Sequence, residues 1–144
     1  MRYWIRDKEN TPQGFPLQVL IELIMQQLGS TICQLWILRS QGYGLRINEW
    51  NRLLDQHERI PIDVKLLQEI SSGEEEWFYD LDAEILSEGL RVRFGLHDST
   101  ALYIDAPQEF SELILKAFES VDPRPDLVQR LTPKRAENLV RGLG

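Results

Sequence analysis

Asp80, Asp82 and Glu84 place three carboxylates at alternate positions, a spacing that suits chemistry. On a strand every second side chain faces the same way, so the three can converge on one divalent cation, which takes several oxygen ligands. A small metal-dependent hydrolase could be built on such a strand. Against that reading stand Arg91 and Arg93, which belong on the outer face of the neighbouring strand. Cross-strand ion pairing accounts for the acids without a metal, and no metal site is expected there.

His97, Asp98 and Ser99 are residue types that recur in hydrolases. Adjacent residues in one turn cannot form a triad relay, which needs groups from separate elements. Asp and Ser also hold turns through side-chain bonds to the backbone, and His97 at the tip reads as an exposed contact residue. No phosphate-loop, dinucleotide, zinc or nucleophile-elbow motif occurs, and GYG at 42–44 is too short to cradle a phosphate. No catalytic residue and no cofactor are expected.

EEEWFYD at 74–80 carries a different message. Trp and Tyr anchor interfaces, and flanking acids steer the approach of a basic partner. The same residues also fit a core strand behind a solvated helix end. Glu74, Glu75, Glu76, Trp77, Phe78, Asp80, Asp82, His97 and Asp98 are the candidate partner-binding residues.

The charge pattern supports that choice. Eight acids and no Lys or Arg lie between Leu66 and Leu90, and the whole chain carries a formal charge of −7. Phosphate binding draws on clustered Lys and Arg, so nucleic acid is not the expected partner. From Val121 onward five bases face three acids, a net of +2 that leaves −9 for residues 1–120. The single Cys33 lies in an apolar run, TICQLWIL, so it makes no disulfide framework and reads as a buried small hydrophobe. Phe15–Leu28 is interrupted by Pro16, Gln18, Glu22, Gln26 and Gln27, too polar for a signal peptide or a membrane span. A cytoplasmic location is expected.

The elements that must position these residues centre on 91–105, RVRFGLHDSTALYID. Val92, Phe94 and Leu96, then Leu102 and Ile104, alternate with polar residues on either side of HDST, which predicts an antiparallel hairpin. Phe94 opposite Leu102 and Val92 opposite Ile104 keep the apolar faces together, around an odd-length loop centred on Asp98. That register sets Arg93 beside Tyr103 and Arg91 beside Asp105. Residues 77–82 add a strand, with Trp77, Tyr79 and Leu81 inward and Phe78, Asp80, Asp82 and Glu84 outward.

Before the hairpin, residues 1–6 suit a short strand, KENTPQG breaks it, and 16–28 form a helix closed by Gly29. The apolar run 32–39 fits a buried strand or a helix. Ser30 as a cap and the glycines at 42 and 44 as a stop predict the helix. Asn48 caps a helix with Trp50, Leu53, Leu54 and a partly buried His57 on one face, and Asp63 caps another carrying Val64, Leu67 and Ile70. Phe110, Leu113, Ile114, Ala117 and Phe118 form the stripe of a helix across the meander. DPRPD at 122–126 is a linker, and Thr132–Pro133 start a basic amphipathic helix.

The expected fold is α+β: N-terminal helices, an antiparallel β-meander, a packing helix and a short helical tail. Residues 1–121 make a single domain, and 122–144 the linker and tail. The chain has the general look of small acidic accessory or neutralising proteins. The expected function is a non-enzymatic interaction domain that binds a protein with a basic surface, or itself as a homodimer through the C-terminal helix. The alternatives are the metal-dependent hydrolase and a small-molecule pocket between meander and N-terminal helices, with His57 or Tyr103 as polar contacts. No membrane partner is expected.

Overall fold

The computed structural model describes residues 2–7, 17–72, 74–99, 101–121 and 125–131, with the backbone alone at 6, 7, 33 and 125–131. The elements in order are β1 (Arg2–Asp7), α1 (Leu17–Leu28), a 3-10 turn (Gly29–Thr31), β2 (Ile32–Tyr43), α2 (Leu45–Leu54) and β3 (Ile60–Pro61). Then come α3 (Val64–Ser71), β4 (Trp77–Ser87), β5 (Leu90–His97), β6 (Ala101–Asp105), α4 (Gln108–Val121) and β7 (Pro125–Leu131). The fold is α+β, and every strand pairing is antiparallel. The strands form one seven-stranded sheet in the order β3-β2-β4-β5-β6-β1-β7, so the meander β4-β5-β6 is its centre.

One side of this sheet carries the core. Leu35, Ile37, Leu81, Ala83, Ile85, Val92, Phe94, Leu102 and Ile104 are all at most 1% exposed and join buried residues of all four helices in one cluster. Burying each large side chain contributes roughly 1.5 to 3 kcal/mol, which is what holds helices to sheet. The alternate residues (Arg2, Trp4, Asp82, Glu84, Arg91, Arg93, His97, Tyr103, Asp105) belong to the opposite face, outside that cluster. Among the described residues, no helix is long and apolar enough to cross a membrane.

Four expectations change. Residues 32–43 are a strand, not a helix: Leu35 and Ile37 point inward while Trp36 turns out beneath the Arg59 guanidinium, 4.0 Å from its ring centre. That outward tryptophan completes an unbroken apolar run and hides the alternation. Cys33 sits at a bulge of β2, where its backbone alone is described.

The hairpin keeps its faces but moves two residues, pairing Phe94 with Ile104, Leu96 with Leu102 and Gly95 with Tyr103. The expected register would set Leu96 against Thr100, whereas the observed one sets it against a leucine. It also leaves room for a large ring. A Cβ on Gly95 would lie 2.8 Å from Tyr103 Cε1 and 1.9 Å from the Leu81 carbonyl oxygen. Arg93, not Arg91, consequently faces Asp105.

Along β4, Phe78 is buried while Trp77 and Tyr79 are exposed, the reverse of the expected faces. Tyr79 is the extra residue of a bulge between the pairs Gln41–Asp80 and Gly42–Phe78, and one extra residue inverts the alternation before it. Finally, residues 125–131, expected as the end of a linker and the approach to a tail, pair with β1 as an edge strand. The expected tail helix from Thr132 lies outside the described residues, as do KENTPQG and Pro16.

The helices otherwise fall close to expectation. Gly29 takes the left-handed position after α1 (φ 55°), and Asp63 accepts the Lys65 N–H at 2.9 Å as the cap of α3. Helix α4 is rotated so that Ser111, Ile114, Leu115 and Phe118 are buried and Leu113 is 48% exposed. Helix α2 starts at Leu45, ahead of Asn48, because its start is set from elsewhere in the chain.

Candidate functional site

That start is set by Glu76. Its Oε1 accepts the backbone N–H groups of Arg46 (2.8 Å) and Ile47 (3.2 Å), and its Oε2 accepts the Arg46 guanidinium. A carboxylate on the first N–H groups of a helix satisfies orphan donors and opposes the helix dipole. Gly44, before the helix, has φ 134°, and a Cβ there would run into the Glu76 side chain. Burial pushes the Glu76 carboxyl up, but the Arg46 guanidinium and the two N–H groups outweigh it and hold the group below the ordinary carboxylate range. Glu76 is thus 7% exposed and turned inward, and Phe78 is buried beside Trp50. Both leave the surface on which they were expected.

The ladder Asp80, Asp82, Glu84 does not converge. Asp80 accepts the Asp98 N–H at 3.1 Å and lies 3.7 Å from Arg39. Glu84 is held by both Arg91 (3.4 Å) and Arg93 (3.5 Å). Asp82 accepts the Tyr103 hydroxyl, and the same oxygen lies 3.2 Å from His97 Nε2. No group of three or more His, Cys, Asp or Glu side chains that could hold a metal occurs among the described residues.

Asp82, His97 and Tyr103 form a connected polar cluster on the face opposite the core. His97 takes its carboxylate from Asp82 across the sheet and not from Asp98, its neighbour in the turn. Trp4 completes the group, with ring centres 5.3 Å from His97 and 5.4 Å from Tyr103, and Arg2 stands 4.0 Å above the Tyr103 ring. Tyr103 is fully buried. Its burial and the carboxylate it donates to push the phenol well above the ordinary tyrosine range, so it serves as a fixed donor. The parts of a proton relay are present, yet no hydroxyl or thiol nucleophile other than this phenol is bonded to His97 or Asp82 among the described residues. The cluster ties β1, β4, β5 and β6 together.

Tyr103 faces away from the helices, so it does not line the pocket expected between meander and helices. His57 is exposed rather than partly buried, on a groove of about 310 Å³ with Trp50, Leu53 and Ile60.

The remaining expected residues lie just before β4, at its first residue and at the hairpin tip. Trp77 pairs with Tyr43 across the sheet, and their rings stack at 4.5 Å with 17° between planes. Stacking leaves them 44% and 56% exposed, with Tyr79 at 46% and Leu45 at 88% close by in the chain. Glu74 and Glu75 are exposed and make no ion pair among the described residues. They line a groove of about 590 Å³ together with Glu69, Glu76, Arg46 and Lys65. Asp98, also exposed, sits at the hairpin tip, which the Ser99 N–H ties to the Tyr79 carbonyl at 2.9 Å.

Tyr43 and Leu45 were missed from sequence. Only the β2–β4 register brings Tyr43 to Trp77, and that register required 32–43 to be a strand. Comparison with family models, with curated proteins and with solved structures finds no match.

Proposed function

We infer that this chain is a non-enzymatic protein-interaction domain that engages a basic partner through the Tyr43–Trp77–Tyr79 end of the sheet. The observation that carries this reading is the exposed Tyr43–Trp77 stack, with ring centres 4.5 Å apart. Two large rings left half in water cost hydration free energy that a partner recovers by covering them, and Trp and Tyr are the residues most enriched at binding hot spots. Glu74 and Glu75, without cations of their own, give that surface its sign and favour a cationic approach.

The test is a titration with a labelled basic peptide and its acidic counterpart. Binding is expected for the basic peptide alone, weaker as salt rises, and lost in Trp77→Ala and in Glu74→Lys/Glu75→Lys while circular dichroism stays unchanged. A basic peptide that fails to bind, or binds both variants as well as the native protein, refutes the assignment.

A further inference from the structure

The geometry points to arginine, not basic charge in general, as what this surface reads: a guanidinium laid on the open face of the Tyr43–Trp77 stack, its N–H groups turned to Glu74 and Glu75. This deepens the interaction reading and rests on it.

Two observations separate an arginine from a lysine. The first is how the fold treats three of its other outward-facing aromatic rings, Tyr79 being the one that, like the stack, carries no cation among the described residues. Arg59 lies 4.0 Å over Trp36, and Arg2 lies 4.0 Å over Tyr103 and 5.6 Å from Trp4. Among the described residues no cation stands over Tyr43 or Trp77, so this stack lacks the partner that those three rings have. A guanidinium is flat and weakly hydrated, so it lies against a ring while its edge still bonds to carboxylates; an ammonium is compact and strongly hydrated and gains less from the ring.

The second is where unsatisfied charge lies. The groove that Glu74 and Glu75 line, just ahead of Trp77 in the chain, holds four glutamates against one arginine and one lysine. Arg46 is already committed to Glu76 and, at 3.3 Å, to Glu69. Glu74 and Glu75 are left as the groove's free acceptors, two and three residues before the exposed ring. Flat aromatic face and free carboxylates together complement a planar five-donor cation.

Two fluorescein-labelled peptides of one sequence, with arginine or with lysine at every basic position, decide the matter by anisotropy. The arginine peptide is expected to bind about tenfold more tightly. Trp77→Leu should abolish that preference, and Tyr43→Leu should reduce it, each checked for native circular dichroism. Glu74→Gln/Glu75→Gln should weaken both peptides. Equal binding of the two peptides, or a preference that survives Trp77→Leu, overturns the arginine assignment while leaving the basic-partner reading intact. Failure of both peptides to bind removes the two together.

Discussion

Glu76 and Tyr103 are both held away from their solution ionisation, in opposite directions, and each makes stability depend on pH. The folded Glu76 carboxyl ionises below its ordinary value of 4.5, so its contribution is present at neutral pH and drains away as pH falls through the carboxylate range. Glu76→Gln should therefore cost about 1 kcal/mol at neutral pH, as lost caps do, and progressively less as pH falls below 4.5. Urea melts of both proteins across that range test it, and a gap that stays constant with pH contradicts the capping role. For Tyr103 the sign reverses. Its folded phenol ionises above the ordinary value of 10.0, so the contribution is complete at neutral pH and is lost as pH rises past that value. Tyr103→Phe should be less stable than the native protein at pH 7 by about 1 kcal/mol, with the difference shrinking above about pH 10. Neither effect could be anticipated from the sequence. Glu76 reads there as one of three equal glutamates, and only the entry of α2 onto its carboxylate singles it out.

The elements were legible to the degree that their own side chains decided them. Helix α1, the cap at Asp63 and the shared face of Phe94, Leu102 and Ile104 followed from local periodicity. What failed to follow depended on a neighbouring strand. The Tyr79 bulge exists only against Gln41 and Gly42, and the hairpin register turns on whether Tyr103 has room opposite Gly95. The candidate site was half legible for the same reason: Glu74, Glu75 and Trp77 lie together in the chain, while Tyr43 arrives from another strand. The Gly95 contact makes a sharp prediction. Gly95→Ala drives a methyl into the Leu81 carbonyl and the Tyr103 ring, and overpacking of that kind costs about 3 kcal/mol, read as a lower denaturation midpoint. A neutral outcome would mean the hairpin can adopt the alternative register. The edge strand β3 carries another. Ile62 N–H donates to the Leu35 carbonyl at 3.0 Å, so by antiparallel alternation the nitrogen of Pro61 points at the free edge, where it has no hydrogen to offer. Pro61→Val restores that donor. Sedimentation should then show concentration-dependent association that the native edge resists, and an unchanged monomer fraction would deny the proline this role.

At the scale of the whole molecule the sheet runs from one edge, β3, to the other, β7, and the second edge joins the two ends of the described chain. All six residues of β1 find partners in β7, and five of them also pair with β6. β1 in turn supplies Arg2 and Trp4 to the Asp82–His97–Tyr103 cluster. Removing β7 therefore does more than shorten an edge, because it exposes β1, and fraying there loosens the packing over Tyr103. Two truncations separate this from the part of the chain beyond Leu131, for which the sequence predicts a basic helix able to join two copies. A chain ending at residue 122 should melt several degrees lower than the full protein, since a few kcal/mol lost from a domain of this size shifts the midpoint by that much. Its Tyr103-dependent loss of stability at alkaline pH should shrink as well. A chain ending at residue 131 keeps the strand and should melt close to the full protein. Any change in its mass in solution then belongs to residues 132–144 alone. If the chain ending at 122 melts with the full protein, β7 contributes nothing to the sheet, and the anchoring of β1 must come from β6 alone.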